Sequence, residues 1–183
     1  MLSRIIAFMI LTVLSPIFLL VALSILIEDG FPIFFKQKRV GVNYTFFNIY
    51  KFRSMKKDTP NLATHLLINP RQYLLKIGKF IRKTSLDELP NLINIIKGEM
   101  VFVGPRPALY NQDDLMEYRV IYGLSKLKPG ITGWAQINGR DDITILEKVK
   151  LELDYKKRKS FLFDIKIICK TFISVLWSKG VKH

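Results

Sequence analysis

Cysteine is almost absent from this 183-residue chain: Cys169 stands alone. A single thiol excludes a disulfide framework and any cysteine-based metal cluster, and it suits a reducing compartment. Histidine is nearly as scarce; His65 and His183 lie far apart in sequence and suggest no site. Acidic residues are outnumbered, 15 against 29 Lys and Arg, giving a formal net charge of +14. That surplus points to an anionic partner: a membrane surface, a nucleotide or a nucleic acid. No recognisable nucleic-acid motif, internal repeat or low-complexity stretch is present, so basicity alone is weak support for the last of these. With 49% hydrophobic residues the chain is no disordered tail. Its length fits one domain, or one domain plus an anchor.

Charge is missing altogether from residues 5–27, which are almost wholly apolar. As one straight helix they reach about 34 Å, enough to cross a hydrocarbon core of roughly 30 Å. The run is too long for a secretory h-region, and Glu28-Asp29-Gly30 after it is no small-residue cleavage site. Ser15-Pro16 interrupts the run near its middle. A mid-helix proline removes one backbone hydrogen bond and crowds the preceding turn, although a neighbouring serine can occupy the freed carbonyl. Two geometries follow: a straight span, or a sharp bend whose arms of about 15 Å are each too short to cross. Frequency among apolar runs favours the span.

Residues 82–107, RKTSLDELPNLINIIKGEMVFVGPRP, place two adjacent carboxylates, Asp87 and Glu88, before an apolar run that ends in a Gly-Pro-Arg-Pro turn. One reading is structural. Ser85 and Glu88 have the spacing of a capping box, or Asp87 is itself an N-cap with Pro90 in the first turn. Leu89, Leu92, Ile93 and Ile96 then form a helical stripe, closed by Gly98. The other reading is chemical. A helix N-terminus attracts phosphate and keeps a nearby aspartate ionised, as a nucleophile must be. Paired carboxylates divide the work: one attacks, the other holds a divalent metal or moves a proton. Arg82, and Arg106 with its backbone fixed between Pro105 and Pro107, are suited to clamp phosphate oxygens.

The remaining segments are connective or basic. Residues 31–57 read as short strand-like pieces around a turn at Gly41 and Asn43, with Lys36, Lys38, Arg39, Lys51, Arg53, Lys56 and Lys57. Most of those cations suit a solvated face or anionic headgroups. Residues 58–79 read as polar, then helical through Leu66, Leu67, Tyr73, Leu74 and Ile77. Residues 110–126 and 143–159 read as helices of mixed charge, and residues 128–134 as a turn-rich loop. Asp154-Tyr155 reads as a pair supporting the site from behind or as a surface pair, with the surface slightly favoured. Residues 160–179 form an amphipathic helix with Lys166, Lys170, Ser174 and Ser178 on one face. Phe161, Ile165, Ile168, Phe172, Leu176 and Trp177 cover most of the rest, which suits core packing or the plane of a membrane interface.

FFKQKRVG (residues 34–41), IYKFRSM (49–55), the dyad stretch and KPGITGWAQINGR (128–140), in that order, resemble the bacterial sugar transferases, the small monotopic polyprenyl-phosphate phosphoglycosyl transferases. The resemblance runs from about residue 14 to the C-terminal helix. A Lys-Arg-x-x-Asp motif common in that family is reduced here to Arg4, with Ala7 in the acid's place. The resemblance implies an α/β fold, mostly helical with few short strands. Residues 1–29 would form a re-entrant membrane helix hairpin with both ends cytoplasmic. Residues 30–183 would form a compact cytosolic catalytic domain with interfacial amphipathic helices. It implies transfer of a sugar 1-phosphate from a UDP-sugar to polyprenyl phosphate at the cytoplasmic membrane of a bacterium, with release of UMP. Asp87 would be the nucleophile and Glu88 the Mg²⁺ ligand or proton carrier. Arg82, Arg106, Lys51, Arg53 and Arg140 would meet the substrates, and Ser15 and Pro16 would make the membrane bend. The rival is a non-catalytic basic module bound to anionic lipid or nucleic acid, which leaves the acidic dyad beside Pro105-Arg106-Pro107 unexplained.

Overall fold

The long apolar run breaks at Leu14. In the computed structural model, which describes residues 1–60, 69–139 and 143–176, it forms two helices: α1 (Leu2–Val13) and α2 (Ser15–Asp29). They meet at a bend of 64°, and no single helix among the described residues is long and apolar enough to cross a membrane. The cause is local. Pro16, in the first turn of α2, has no N–H to give to the carbonyl of Thr12. The Ser15 hydroxyl donates to that carbonyl instead, at 2.7 Å. Most of the apolar surface of the pair faces outward, including Phe8, Val13, Leu19, Leu20 and Ile27.

The inner faces of both helices are buried in the body of the chain. Ala7 packs against Phe47, Ile49, Leu92, Ile95 and Met100, while Val21 and Ile25 pack against Phe52, Leu75 and Ile81. Between these two clusters lies an antiparallel hairpin, β1 (Phe34–Val40) and β2 (Phe46–Phe52), in register from Phe34 opposite Phe52 to Val40 opposite Phe46. Its turn places Asn43 and Tyr44 at φ of 49° and 62°, so the Gly41–Asn43 punctuation marks a real reversal. Alternation along β2 sends Phe47 and Ile49 into the first cluster and Phe52 into the second.

Helix α3 spans Lys76–Lys83, shorter and later than the sequence pattern suggests. Pro70–Tyr73 is a 3₁₀ turn, Leu74 bridges to Met55, and Leu66 and Leu67 lie outside the described residues. The Glu28 carboxylate accepts from the backbone N–H groups of Lys76 and Ile77, at 2.6 and 3.2 Å, and so fixes where α3 starts. Helix α4 (Asn91–Lys97) ends at Gly98 in the left-handed conformation, φ 83°, as the sequence predicts. The Arg4 guanidinium lies where a side chain at Gly98 would stand.

Strand β3 (Val101–Val103) pairs in parallel with β4 (Gly130–Thr132), which falls inside the segment expected to be only a loop. The pair is possible because Gly104 and Gly130 approach too closely for a Cβ on either. Helix α5 (Asp113–Ile121), α6 (Trp134–Asn138), α7 (Ile145–Arg158) and α8 (Phe161–Leu176) complete the order. Helix α7 carries a true capping box, Thr144 with Glu147. Helix α8 buries Phe163 and Ile167 against Val103 and Tyr155, and leaves Phe161, Leu162, Phe172 and Ile173 exposed. Asp154 and Tyr155 part company. Asp154 pairs with Arg158 at the surface, whereas Tyr155 is buried, its hydroxyl bonded to the Val103 carbonyl and the Asp164 carboxylate. Trp177 and Ser178 lie outside the described residues.

Candidate active site

Neither sequence-level cap forms at the dyad. Ser85 is itself left-handed, φ 57°, and Leu86–Glu88 is a single 3₁₀ turn with no side-chain cap. Helix α4 starts only after Pro90. The backbone closes this turn alone, through Glu88 N to the Ser85 carbonyl (3.2 Å) and Leu89 N to the Leu86 carbonyl (3.1 Å). Both carboxylates are thereby free for other partners.

Glu88 finds one 37 residues upstream: the Lys51 ammonium meets its Oε1 at 2.6 Å. Lys51 follows Phe47 and Ile49 on the face of β2 that packs against α4. Asn94 holds these two elements in register. Fully buried, it donates to the Asn48 carbonyl at 2.7 Å and accepts from the Tyr50 N–H at 3.1 Å. Burial pushes the Glu88 carboxyl up, but Lys51, Arg106 and Arg39 outweigh that and hold it below the usual carboxylate range.

Asp87 is the opposite case. Burial dominates and pushes its carboxyl up to about 6; Glu88 adds to the rise, while Lys51 and Arg82 act against it. No ion pair to Asp87 forms among the described residues. Adjacent carboxylates thus differ sharply. One is neutralised by a lysine; the other remains basic and largely ionised at neutral pH. Arg82, on α3, feels Asp87 through space and anchors its Nε on the Ser54 hydroxyl at 2.8 Å.

The Gly-Pro-Arg-Pro turn closes the other side. Its backbone is held at every step. Gly104 N donates to the Thr132 carbonyl, and the Pro105 carbonyl accepts from Gly130 N, both at 2.9 Å. The Arg106 carbonyl accepts from Arg119 Nη2 at 2.9 Å, and the Pro107 carbonyl from Arg39 Nη1 at 3.0 Å. Arg106, Pro107, Arg39, Lys51, Glu88 and Asn91 line one pocket. Within it two buried polar atoms, Arg39 Nε and Asn91 Oδ1, have no hydrogen-bond partner among the described residues. Burial, helped by Arg106, pushes the Arg39 guanidinium down to about 10. Concentrated positive charge beside an acidic dyad, with one unspent donor at Arg39 Nε, is chemistry suited to phosphate oxygens.

The structure therefore gathers Asp87, Glu88, Lys51, Arg82, Arg106, Pro105 and Pro107. Arg53 is differently employed. Buried, it pairs with Asp29 and donates to the carbonyls of Pro32, Asp29 and Gly30, which locks the end of α2 to the end of β2. Arg140 lies outside the described residues. Sequence reasoning passed over Arg39, Asn91 and Asn94. Arg39 sits among six other cations without a distinguishing signal, and the asparagines look like ordinary helix residues.

The family pattern of the bacterial sugar transferases matches residues 1–178. The chain belongs to the bacterial sugar transferase family. Sugar transferase EpsL of Bacillus subtilis (strain 168), itself uncharacterized, is 40% identical, over 92% of this chain and 87% of the relative. The UDP-glucose:undecaprenyl-phosphate glucose-1-phosphate transferase of Escherichia coli (strain K12) is 41% identical, over 90% of this chain but 37% of the relative. The UDP-N-acetylgalactosamine-undecaprenyl-phosphate N-acetylgalactosaminephosphotransferase of Aeromonas hydrophila is 33% identical, over 92% of this chain and 41% of the relative. The chain thus spans well under half the length of these last two. As a member of this family it is an enzyme of the phosphoglycosyl transferase class, and the gathered dyad and arginines are its candidate machinery.

Proposed function

We propose that this chain transfers a sugar 1-phosphate from a UDP-sugar to polyprenyl phosphate, in two steps, at the cytoplasmic face of a bacterial membrane. The observation that carries the reading is the split of the dyad: Glu88 is tied to Lys51, while Asp87 beside it has no ion-pair partner among the described residues and stays basic. Relatives named for undecaprenyl-phosphate sugar transfer support the donor and acceptor class.

In the first step a carboxylate oxygen of Asp87 attacks the sugar-bearing β-phosphorus. The bond from that phosphorus to the bridging oxygen breaks, and UMP leaves with the electron pair. An acyl phosphate joins Asp87 to the sugar phosphate. In the second step a phosphate oxygen of the polyprenyl phosphate attacks the same phosphorus and returns Asp87 to its carboxylate. Arg106 and Arg82 stabilise charge on the phosphoryl oxygens, from backbones that do not need to move. Lys51 keeps Glu88 ionised and oriented. Carboxylate oxygens beside a diphosphate are the hard donor set that Mg²⁺ takes, usually one or two carboxylates with substrate phosphates. Glu88 would hold the ion, which would neutralise diphosphate charge.

The outward apolar surface of α1, α2 and α8 provides the membrane contact, and the break at Leu14 makes the N-terminal pair re-entrant. Helices of 12 and 15 residues are about 18 and 22 Å long, and neither alone crosses a bilayer core.

UMP release from a panel of UDP-sugars, with and without polyprenyl phosphate, tests the reaction. Brief exposure to a donor labelled in its sugar should leave label on the chain, discharged by acceptor. Turnover without any labelled chain refutes the two-step route. Binding of anionic lipid with no UMP release from any donor favours the non-catalytic reading.

A further inference from the structure

The buried pair Arg119–Glu152 has no part in the chemistry above. Arg119, on α5, donates from Nε and Nη2 to the two carboxylate oxygens of Glu152, on α7, at 2.8 and 2.5 Å. Both side chains are almost fully enclosed, 6% and 2% exposed. Such a pair costs desolvation on both sides and is poor evidence of stabilisation for its own sake. Its geometry has a second product. With the fork fixed by Glu152, Nη2 also reaches the Arg106 carbonyl at 2.9 Å.

That carbonyl belongs to the charged residue of the Pro-Arg-Pro turn, which lines the site beside Pro107. Its neighbours are held from other directions, Pro105 by Gly130 and Pro107 by Arg39. Without Arg119, the peptide plane after Arg106 would keep no donor among the described residues, and prolines on both sides offer no N–H of their own to recruit.

We propose that Arg119 and Glu152 are positioning residues for Arg106, the pair fixing the peptide from which its guanidinium is aimed at the transferred phosphoryl group. This rests on the reaction proposed above. A bidentate fork fixes direction as well as distance, which a lysine at 119 does not reproduce. The two helices that carry the pair thereby set the electrostatics of a site they do not line.

The test replaces the pair together, Arg119→Met with Glu152→Leu, so that neither charge is left buried alone. We expect cooperative unfolding close to the parent's, kcat lower by roughly 10- to 100-fold, and donor KM changed by less than about threefold. In an Arg106→Lys background the same replacement should change kcat by less than about threefold, because the group being aimed is already gone. Arg119→Lys should recover only part of kcat. A second readout needs no substrate: the Arg106 Nε–Hε NMR signal, assigned by its loss in Arg106→Lys, should shift or broaden in the paired variant.

Full kcat in a folded paired variant, a loss that adds to that of Arg106→Lys, or an unchanged Arg106 signal overturns the inference. If the paired variant fails to fold, Glu152→Gln takes its place, with the same pattern and a smaller loss. If the parent releases no UMP from any donor, the proposed reaction falls, and the NMR comparison still decides the positioning role.

Discussion

Replacing Asp87 by asparagine should abolish turnover and at the same time make the fold more stable. The carboxyl is raised from 3.8 to about 6, chiefly by burial, so the folded state disfavours its charged form. The folded carboxyl keeps its proton to a higher pH than the unfolded one. The associated stability is therefore fully present below 3.8 and is lost as pH rises through about 6. At neutral pH a shift of about two units corresponds to about 3 kcal/mol. Residual exposure of Asp87 reduces that to about 2 kcal/mol. Asparagine keeps the size of the side chain and carries no charge to desolvate. For a chain of this length the gain is a rise in Tm of roughly 4–8 °C. It should be read at pH 7.5 in EDTA, so that no cation offsets the charge, and repeated down to pH 4.5, where less than about half the gain should remain. An Asp87→Asn chain no more stable than its parent at pH 7.5, or a gain independent of pH, refutes the account of Asp87 as a buried, destabilising base. Normal turnover in Asp87→Asn refutes it as the nucleophile.

The same carboxyl predicts that kcat/KM falls on the acid side of an apparent pKa of about 6, as Asp87 takes up its proton; a profile flat to pH 5 counts against it. Activity should vanish in EDTA and return with Mg²⁺, while full activity in EDTA would leave Glu88 to Lys51 alone. Arg53→Gln should cost stability by about 2–4 kcal/mol, because Asp29 and several carbonyls lose a buried donor, with donor KM unchanged. A raised KM without loss of stability would instead put Arg53 on the substrate. In a Cys169→Ser background, a cysteine at Ser3 should resist an impermeant thiol reagent on intact spheroplasts and react after permeabilisation; labelling from outside refutes the re-entrant anchor.

What could be read from the sequence was local chemistry. Pro16 marks the break in the apolar run, Ser15 takes the carbonyl it frees, and Gly98 closes α4. Each acts within a turn of itself. The misread elements depend on distant partners. Ser85 and Glu88 have capping spacing, but Glu88 is drawn across to Lys51 on β2. The segment Gly130–Thr132 has the composition of a turn and becomes a strand only because Val101–Val103 lies alongside it. Arg53 belongs to a basic run, and only the folded chain reveals that its partner is Asp29. Within the site the dyad and the Pro-Arg-Pro turn were legible from residue type. Arg39, Asn91, Asn94 and the Arg119–Glu152 pair were not, since single polar residues in helices and strands carry no spacing signal.

The Arg53–Asp29 lock bears on how this enzyme can be handled. Arg53 follows Lys51 by two residues, so the end of α2 is tied almost directly to the strand that holds Glu88. Removing residues 1–29 to obtain a more tractable fragment would strip Asp29 from a buried guanidinium and Glu28 from the start of α3. It would also uncover the surface against which Ala7, Val21 and Ile25 are packed. Replacing those residues by an unrelated apolar helix would restore greasy surface but neither acid. Solubilisation is better sought by changing outward residues such as Phe8, Leu19 and Leu20, which leaves the inner face of the elbow, and with it the seat of the dyad, in place.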